Sequence, residues 1–389
     1  MRVLAASTRG MGHFNPLVPF LDACLRGGHE VLVGGPPTLA AAVESAGYDF
    51  WEFDDPPADE LDEVWSRVPS LPPDEQNALV VRDIFTRLDA TASLPQLRAA
   101  CRDWHPDVVL REGNEYGSAI AADLHGIPHA RVGIGLSSME ELGLEIAAGT
   151  LAELRRSVGL PADPNAETLR RSPYLTLFPG SLENPAEPGV ARALRFRDPN
   201  WDERPSELPA SWSDGAEPLV YVTFGSVAAG MEMAARAYEA ALAAVADLPV
   251  RALLTVSHGA DLARFSATPK NVHVEHWVPQ ADVLARAAAV VCHGGSGSTL
   301  GALAAGVPLV VVPLFADQPL NARRVEAVGA GLVVRPPDPT AIRAAVRRVL
   351  QEEPFRAAAE RLAAELRSQP PTDAAVELLG QLAQRRAAR

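Results

Sequence analysis

Two glycine-bearing turns carry the residues best able to do chemistry. The first is Thr8-Arg9-Gly10-Met11-Gly12-His13, which follows the short apolar run Arg2 to Ser7. A histidine on a turn at a strand's carboxyl end faces the ligand edge of a parallel sheet rather than its core. Its ring titrates near neutrality and can take up or release a proton. The second turn is His293-Gly294-Gly295-Ser296-Gly297-Ser298-Thr299, after the apolar run Val290-Val291-Cys292 and before a helix expected over Leu300 to Ala305. Glycines there let a ligand approach the backbone, and N–H groups at the helix start point outward. Ser298, Thr299 and His293 add further donors, so the turn suits an anion. Asp317-Gln318 follows the run Leu309 to Val312 and is expected at a strand end too.

The elements that must hold these turns alternate. Arg2 to Ser7, a helix over Asn15 to Arg26 and a strand over Glu30 to Val33 make a βαβ opening, hence a parallel sheet. Gly10 and Gly12 lack the third glycine of GxGxxG, so this loop does not read as a dinucleotide site. A strand is expected over Asp107 to Leu110, a turn over Arg111 to Glu115, and helices over Tyr116 to His125 and Leu136 to Ser157. The acidic, proline-rich stretch Asp54 to Pro73 reads as an irregular lid or solvated loop, and Gln76 to Leu88 looks helical. Arg197 to Ala216 is rich in Pro, Asp, Glu and Ser and reads as a linker. A second sheet opens at Val220 to Phe224, followed by Gly225-Ser226, and continues through Ala252 to Val256, with His258 after it, and Val272 to His276. Helices over Pro339 to Leu350, Glu353 to Leu366 and Asp373 to Arg386 finish the chain. The fold class is α/β, with one domain expected over 1–208 and a second over 209–370.

Composition sets the bounds. A chain of 389 residues, 47% of them hydrophobic, suits two domains of roughly 200 residues each. A net charge of −14 argues against a phosphate-gripping nucleic-acid binder. Cys24, Cys101 and Cys292 form neither a CxxC pair nor a disulfide framework. The first residues turn polar too soon for a signal peptide, and no apolar run reaches the roughly 18 residues of a membrane span. A cytoplasmic protein is the expectation.

The stretch His276 to Val325 resembles the donor-site signature of family 1 glycosyltransferases. The matching pieces are Trp277-Val278-Pro279-Gln280, His293-Gly294-Gly295, Ser298-Thr299, Gly306-Val307-Pro308 and Asp317-Gln318-Pro319-Leu320-Asn321. Their order and spacing fit together, and the length and layout of the remaining chain agree. The resemblance implies a GT-B fold, two Rossmann-like doubly wound domains facing across a cleft, with a C-terminal helix (371–389) crossing back to the first domain. It implies transfer of a sugar from a TDP- or UDP-sugar to a hydrophobic natural product, an antibiotic aglycone for example. Neither a bound cofactor nor a metal is called for, since no DxD stands at a strand end. A homodimer is left open.

The resemblance also assigns roles. Gly10-Met11-Gly12-His13-Phe14-Asn15-Pro16 is similar to the family's first loop, whose histidine is the general base, so His13 takes that role. Transfer to a hydroxyl needs such a base, because an alcohol is a poor nucleophile until its proton is removed. A carboxylate that fixes the base's tautomer is implied just after the Asp107 strand. Glu112 is the first choice and Glu115 the second. Glu112 pairing with Arg111 or Arg131, and Glu115 serving only a helix start, are the bland alternatives. On the donor side the resemblance places Gly225 and Ser226 at the diphosphate and Trp277 under the pyrimidine. Val278 and Gln280 go to the base and ribose edge, and His293, Gly294, Gly295, Ser296, Gly297, Ser298 and Thr299 to the phosphates. Asp317 and Gln318 take the sugar hydroxyls, although Asp317 could equally cap a helix. Phe14, Glu115, Met139 and Leu142 are assigned to the acceptor, with core packing the alternative for the apolar three. Members that use UDP-sugars usually carry a glutamate for the ribose hydroxyls where this chain has Gly301, which points to a TDP-sugar. A nucleotide-sugar epimerase or hydrolase of the same fold, and a catalytically idle activator of a partner transferase, are the competing readings.

Overall fold

The computed structural model describes residues 1–202, 208, 212, 215–225, 232–256 and 268–387. Its strands are short and rich in Val, Leu and Ala. The central ones are buried on both faces, as in parallel sheets covered by helices. The first sheet holds β1 (Arg2–Ala6), β2 (Glu30–Gly35), β3 (Asp49–Glu52), β4 (Val108–Glu112), β5 (His129–Val132), β6 (Tyr174–Thr176) and β7 (Ala193–Arg195). All pairs are parallel, in the order β3-β2-β1-β4-β5-β6-β7. The chain leaves β1 toward β2 and leaves β4 toward β5, in opposite directions. The loops after β1 and β4 therefore diverge and leave a crevice at the carboxyl edge, the usual ligand position of a doubly wound sheet. Register places Ala6 of β1 beside Arg111 of β4, which brings the two loops together.

The second sheet repeats this plan with β8 (Leu219–Thr223), β9 (Arg251–Thr255), β10 (Val272–Glu275), β11 (Ala287–Cys292), β12 (Leu309–Val311) and β13 (Gly331–Val333), in the order β10-β9-β8-β11-β12-β13. Its switch point lies between β8 and β11, where Thr223 pairs with Cys292.

The chain divides into two compact units. One comprises Met1–Leu177, Pro185–Asp198 and Pro370–Arg389, the other Phe178–Asn184 and Pro199–Gln369. The break thus falls at Asp198/Pro199 rather than at 208/209, and Phe178–Asn184 goes with the second unit, where Leu182 O accepts from Arg324 Nε at 2.7 Å. The last helix, Asp373–Ala387, packs on the Val18–Arg26 helix. Arg26 and Asp373 pair at 2.9 Å there.

Two expectations need correction. The stretch read as an irregular lid is largely helical. Ala58–Arg67 and Pro73–Leu79 are helices, and Val80–Asp89 is a π-helical segment running into the Ala90–Asp103 helix. The segment carries a small core of its own, Val64 with Leu79, Ile84 and Leu88, which its acidic composition conceals. The helix after β11 starts at Ser296, not Leu300. Gly295 at φ −62°, ψ 149° serves as N-cap, so the small polar residues form the first turn. None of the helices among the described residues is long and apolar enough to cross a membrane.

Candidate active site

The first switch point brings His13 and Glu112 together. Gly10, at φ 99°, lets the chain reverse from β1 into a single helical turn, Met11–Phe14, that presents His13. Glu112 is the last residue of β4 and fully buried. His13 Nδ1 lies 3.1 Å from Glu112 Oε1, hydrogen-bond length with an approach off the ring N–H axis. Since Nδ1 is buried, the ring's exposed fifth lies at its other edge.

Further donors hold the carboxylate. Thr8 Oγ1 donates to Oε1 at 2.8 Å and the Asn114 N–H to Oε2 at 2.6 Å. Burial raises the Glu112 pKa, but His13 and these donors outweigh it, so the group sits below the usual carboxylate range. Burial likewise pushes His13 down. Glu112, with Asp89 and Glu140, outweighs it and leaves His13 above an ordinary histidine. Arg111 does not pair with Glu112, because it gives its Nη1 to the carbonyls of Glu112, Gly113 and Glu115 rather than to a carboxylate. The Phe85 ring covers His13 with centroids 5.2 Å apart.

Glu115 does not join the pair. Its carboxylate accepts from the Ser118 N–H at 3.0 Å and from the Ser118 hydroxyl, so it caps the Gly117–Leu124 helix. Burial pushes it up to about 7. Phe14 is 1% exposed and packs edge-on to Tyr48, which makes it a core residue and not an acceptor wall. Met139 and Leu142 lie on the Ser137–Ser157 helix, with Leu142 exposed at 42%. Its neighbour Leu144 is core.

The second switch point assembles a donor-rich turn. Gly225 follows β8 at φ 75°, and Gly294 follows β11 at φ 84°. The His293 ring fits between two glycines. A Cβ on Gly225 would stand 2.8 Å from Nε2, and one on Gly295 would stand 2.5 Å from it. Burial pushes His293 down to about 4, so it is a neutral imidazole offering one N–H. The Ser296–Ala304 helix has no side-chain cap, which leaves its first N–H groups free for an anion. The Thr299 hydroxyl is buried there. Ala in place of Gly295 should weaken anion binding at this turn about tenfold or more by displacing His293. Calorimetric titration with TDP checks this, and unchanged affinity contradicts it.

Asp317 stands at the N-cap of the Gln318–Ala327 helix, but its side chain bonds none of the helix N–H groups. Instead it accepts from Ser296 Oγ at 2.8 Å and from Asn321 Nδ2 at 2.7 Å, tying this helix to the anion turn. Gln318 Oε1 accepts from the Leu314 and Phe315 N–H groups at 2.9 and 3.0 Å, which leaves only its NH₂ for a ligand. Trp277 is 64% exposed, so its indole is not a core residue. Val278 is buried and can offer only backbone. Gln280 Oε1 lies 2.8 Å from where a Cβ on Gly301 would stand. Ser226 and His258 lie outside the described residues.

The comparisons decide the family. Residues 23–150 match the N-terminal domain model of the Erythromycin biosynthesis protein CIII-like family, and residues 239–382 match its C-terminal domain model. The chain belongs to this family of glycosyltransferases. The elloramycin glycosyltransferase ElmGT of Streptomyces olivaceus is 34% identical across 97% of both chains. The L-demethylnoviosyl transferase of Streptomyces niveus is 32% identical over 97% of this glycosyltransferase and 96% of its own length. Among solved structures, glycosyltransferase SsfS6 of Streptomyces sp. SF2575 in complex with thymidine diphosphate is 27% identical. It covers 98% of this chain and 99% of its own, with a TM-score of 0.78. The fold of this glycosyltransferase is GT-B, and the two switch points are those of its two sheets.

Sequence reasoning passed over Thr8, Arg9, Phe85 and Asp89. Thr8 and Arg9 stand in the His13 turn and were legible as its neighbours. Phe85 and Asp89 had no signal, because contacts 72 and 80 residues apart in the chain carry no local pattern.

Proposed function

We propose that the chain is an inverting, metal-independent glycosyltransferase that moves a sugar from a TDP-sugar to a hydroxyl of a hydrophobic natural product. The observation that carries it is the His13–Glu112 pair at the edge of one sheet, with the capless, His293-bearing helix start at the edge of the other. The first unit takes the acceptor. His13 Nδ1 faces Glu112, which leaves Nε2 to receive the acceptor's proton as the hydroxyl attacks the anomeric carbon. The carboxylate holds the tautomer and stabilises the imidazolium. The second unit takes the donor. N–H groups of the Ser296–Ala304 helix, the neutral His293 and the Ser298 and Thr299 hydroxyls receive the diphosphate and stabilise it as it leaves. Dipoles and N–H donors then serve where other enzymes use a cation. Ser226, outside the described residues, is assigned to the same diphosphate by resemblance alone. Attack by one base-activated hydroxyl opposite the leaving group inverts the anomeric centre.

Relatives named for elloramycin and for tylactone support a natural-product acceptor. Cys24, Cys101 and Cys292 are buried and none is in a disulfide, which fits a reducing compartment, the cytoplasm. Gly301 supports TDP over UDP. Gln280 fills the space a side chain at 301 would need, and no carboxylate there awaits a ribose 2′-hydroxyl. Turnover with a TDP-sugar should exceed that with the matching UDP-sugar by about tenfold or more, one lost hydrogen bond to a buried polar group being worth that much. Rates on TDP- and UDP-glucose test this, and a UDP preference overturns it. The inverting, metal-free part is tested by product configuration from NMR coupling constants and by turnover in EDTA. Retention of configuration, or dependence on a divalent ion, refutes it.

A further inference from the structure

We propose that Arg9 and Asp89 are positioning residues that hold the His13 loop in its working place. The proposal rests on the reading of His13 as the base. Arg9 and His13 lie four residues apart on the loop after β1, and Phe85 and Asp89 lie four apart on the π-helical segment. The two pairs dock in antiparallel order. His13 meets the Phe85 ring at 5.2 Å, and Arg9 grips Asp89 through Nη2–Oδ1 at 2.8 Å and Nη1–Oδ2 at 3.3 Å. Arg9 also donates to Asp55 Oδ1, after β3, from Nη2 at 2.9 Å and Nε at 3.3 Å. Thr8 adds the bond to Glu112 already described. The loop that carries the base is thus tied to three separate parts of the fold through Thr8 and Arg9, no more than five residues before His13.

The wide helix matters here. Thr86 Oγ1 reaches back to the Val81 carbonyl, five residues earlier, at 2.7 Å, and the widened turns bring Phe85 and Asp89 onto the loop; such insertions recur at functional sites. Asp89 is buried at 7% exposure and has no ion-pair partner besides Arg9 among the described residues. Without Arg9 a buried carboxylate is left uncompensated, and the loop loses its fork-shaped anchor. The charged groups facing His13 are Glu112 from β4, Asp89 from the π-helical segment and Glu140 from the Ser137–Ser157 helix. Loss of Arg9 lets Asp89 take up a proton, which removes one negative charge facing the imidazole.

The test compares wild type with H13A, R9M, R9K and D89N, using TDP-sugar and acceptor across pH, with thermal melts alongside. R9M should lower kcat on the order of 30- to 100-fold, the cost of misplacing a reacting group by about 1 Å. KM for the TDP-sugar should not change, and the acid limb of kcat/KM should move to lower pH. R9K should recover activity to within about tenfold, because lysine keeps the charge but not the fork. D89N should move the limb in the same direction. If H13A turns over like wild type, the reading of the base is wrong. If H13A is inactive while R9M keeps wild-type kcat and pH profile, the positioning proposal alone is wrong. It is equally wrong if R9M loses activity only in proportion to folded protein, with the limb unmoved and R9K no better.

Discussion

Replacing His13 by alanine lowers turnover by roughly a hundredfold or more, the typical contribution of a positioned general base, and leaves TDP affinity at the wild-type value. The two halves of that result have separate origins. The imidazole belongs to the β1–β4 switch point of the first unit, while TDP's expected contacts belong to the β8–β11 switch point of the second. The pH profile carries the same signature. His13 acts as a base only when neutral, so activity falls as pH drops through its pKa. Because Glu112, Asp89 and Glu140 together outweigh burial, the acid limb of the wild-type profile lies above the ordinary histidine value of about 6.5. Steady-state rates with calorimetric TDP binding check the substitution, and a variant with wild-type kcat removes His13 from the mechanism.

Glutamine in place of Glu112 is comparably damaging, on the order of a hundredfold or more, through the same tautomer change that an amide imposes on the histidine of a catalytic triad. The donors around the group explain why. Oε2 faces the Asn114 N–H at 2.6 Å, and Oε1 faces Thr8 Oγ1 at 2.8 Å and His13 Nδ1 at 3.1 Å. An amide must turn its NH₂ to one side or the other. Toward Asn114, donor meets donor. Toward His13, it forces Nδ1 to accept, puts the proton on Nε2 and removes the base. With the charge gone, burial becomes the larger influence on His13, so the residual acid limb moves below the wild-type position. A pH–rate profile of the Glu112→Gln variant reads both effects. An unchanged limb would show that Glu112 does not set the base.

Much of this architecture was legible because α/β alternation leaves a periodic trace. Apolar runs followed by polar or glycine-bearing turns marked β1, β11 and β12. Both switch-point turns were visible as glycines beside histidines. What stayed hidden depends on contacts remote in sequence. Glu115 looked like a base partner until Ser118 was seen to hold it. Phe14 follows the base directly, yet the short Met11–Phe14 turn points it into the core. Glycine and serine at 296–299 masked a helix start, because residues of poor helix propensity can begin a helix that tertiary packing completes. The helical identity of 58–67 was concealed by its acidic residues and by the prolines on either side, whereas Gln76 to Leu88 reads as helical in the sequence and lies within helical segments.

The central claim is that one chain couples a base on one sheet to a nucleoside-diphosphate cradle on the other, and so transfers a sugar. The most direct measurement incubates the purified protein in EDTA with a TDP-sugar, with and without a panel of polyketide and flavonoid acceptors, and follows TDP and glycoside by mass spectrometry. The account predicts TDP and glycoside in equal amounts, and only when an acceptor is present. Consumption of the TDP-sugar without any acceptor, or no consumption with any of them, would contradict it.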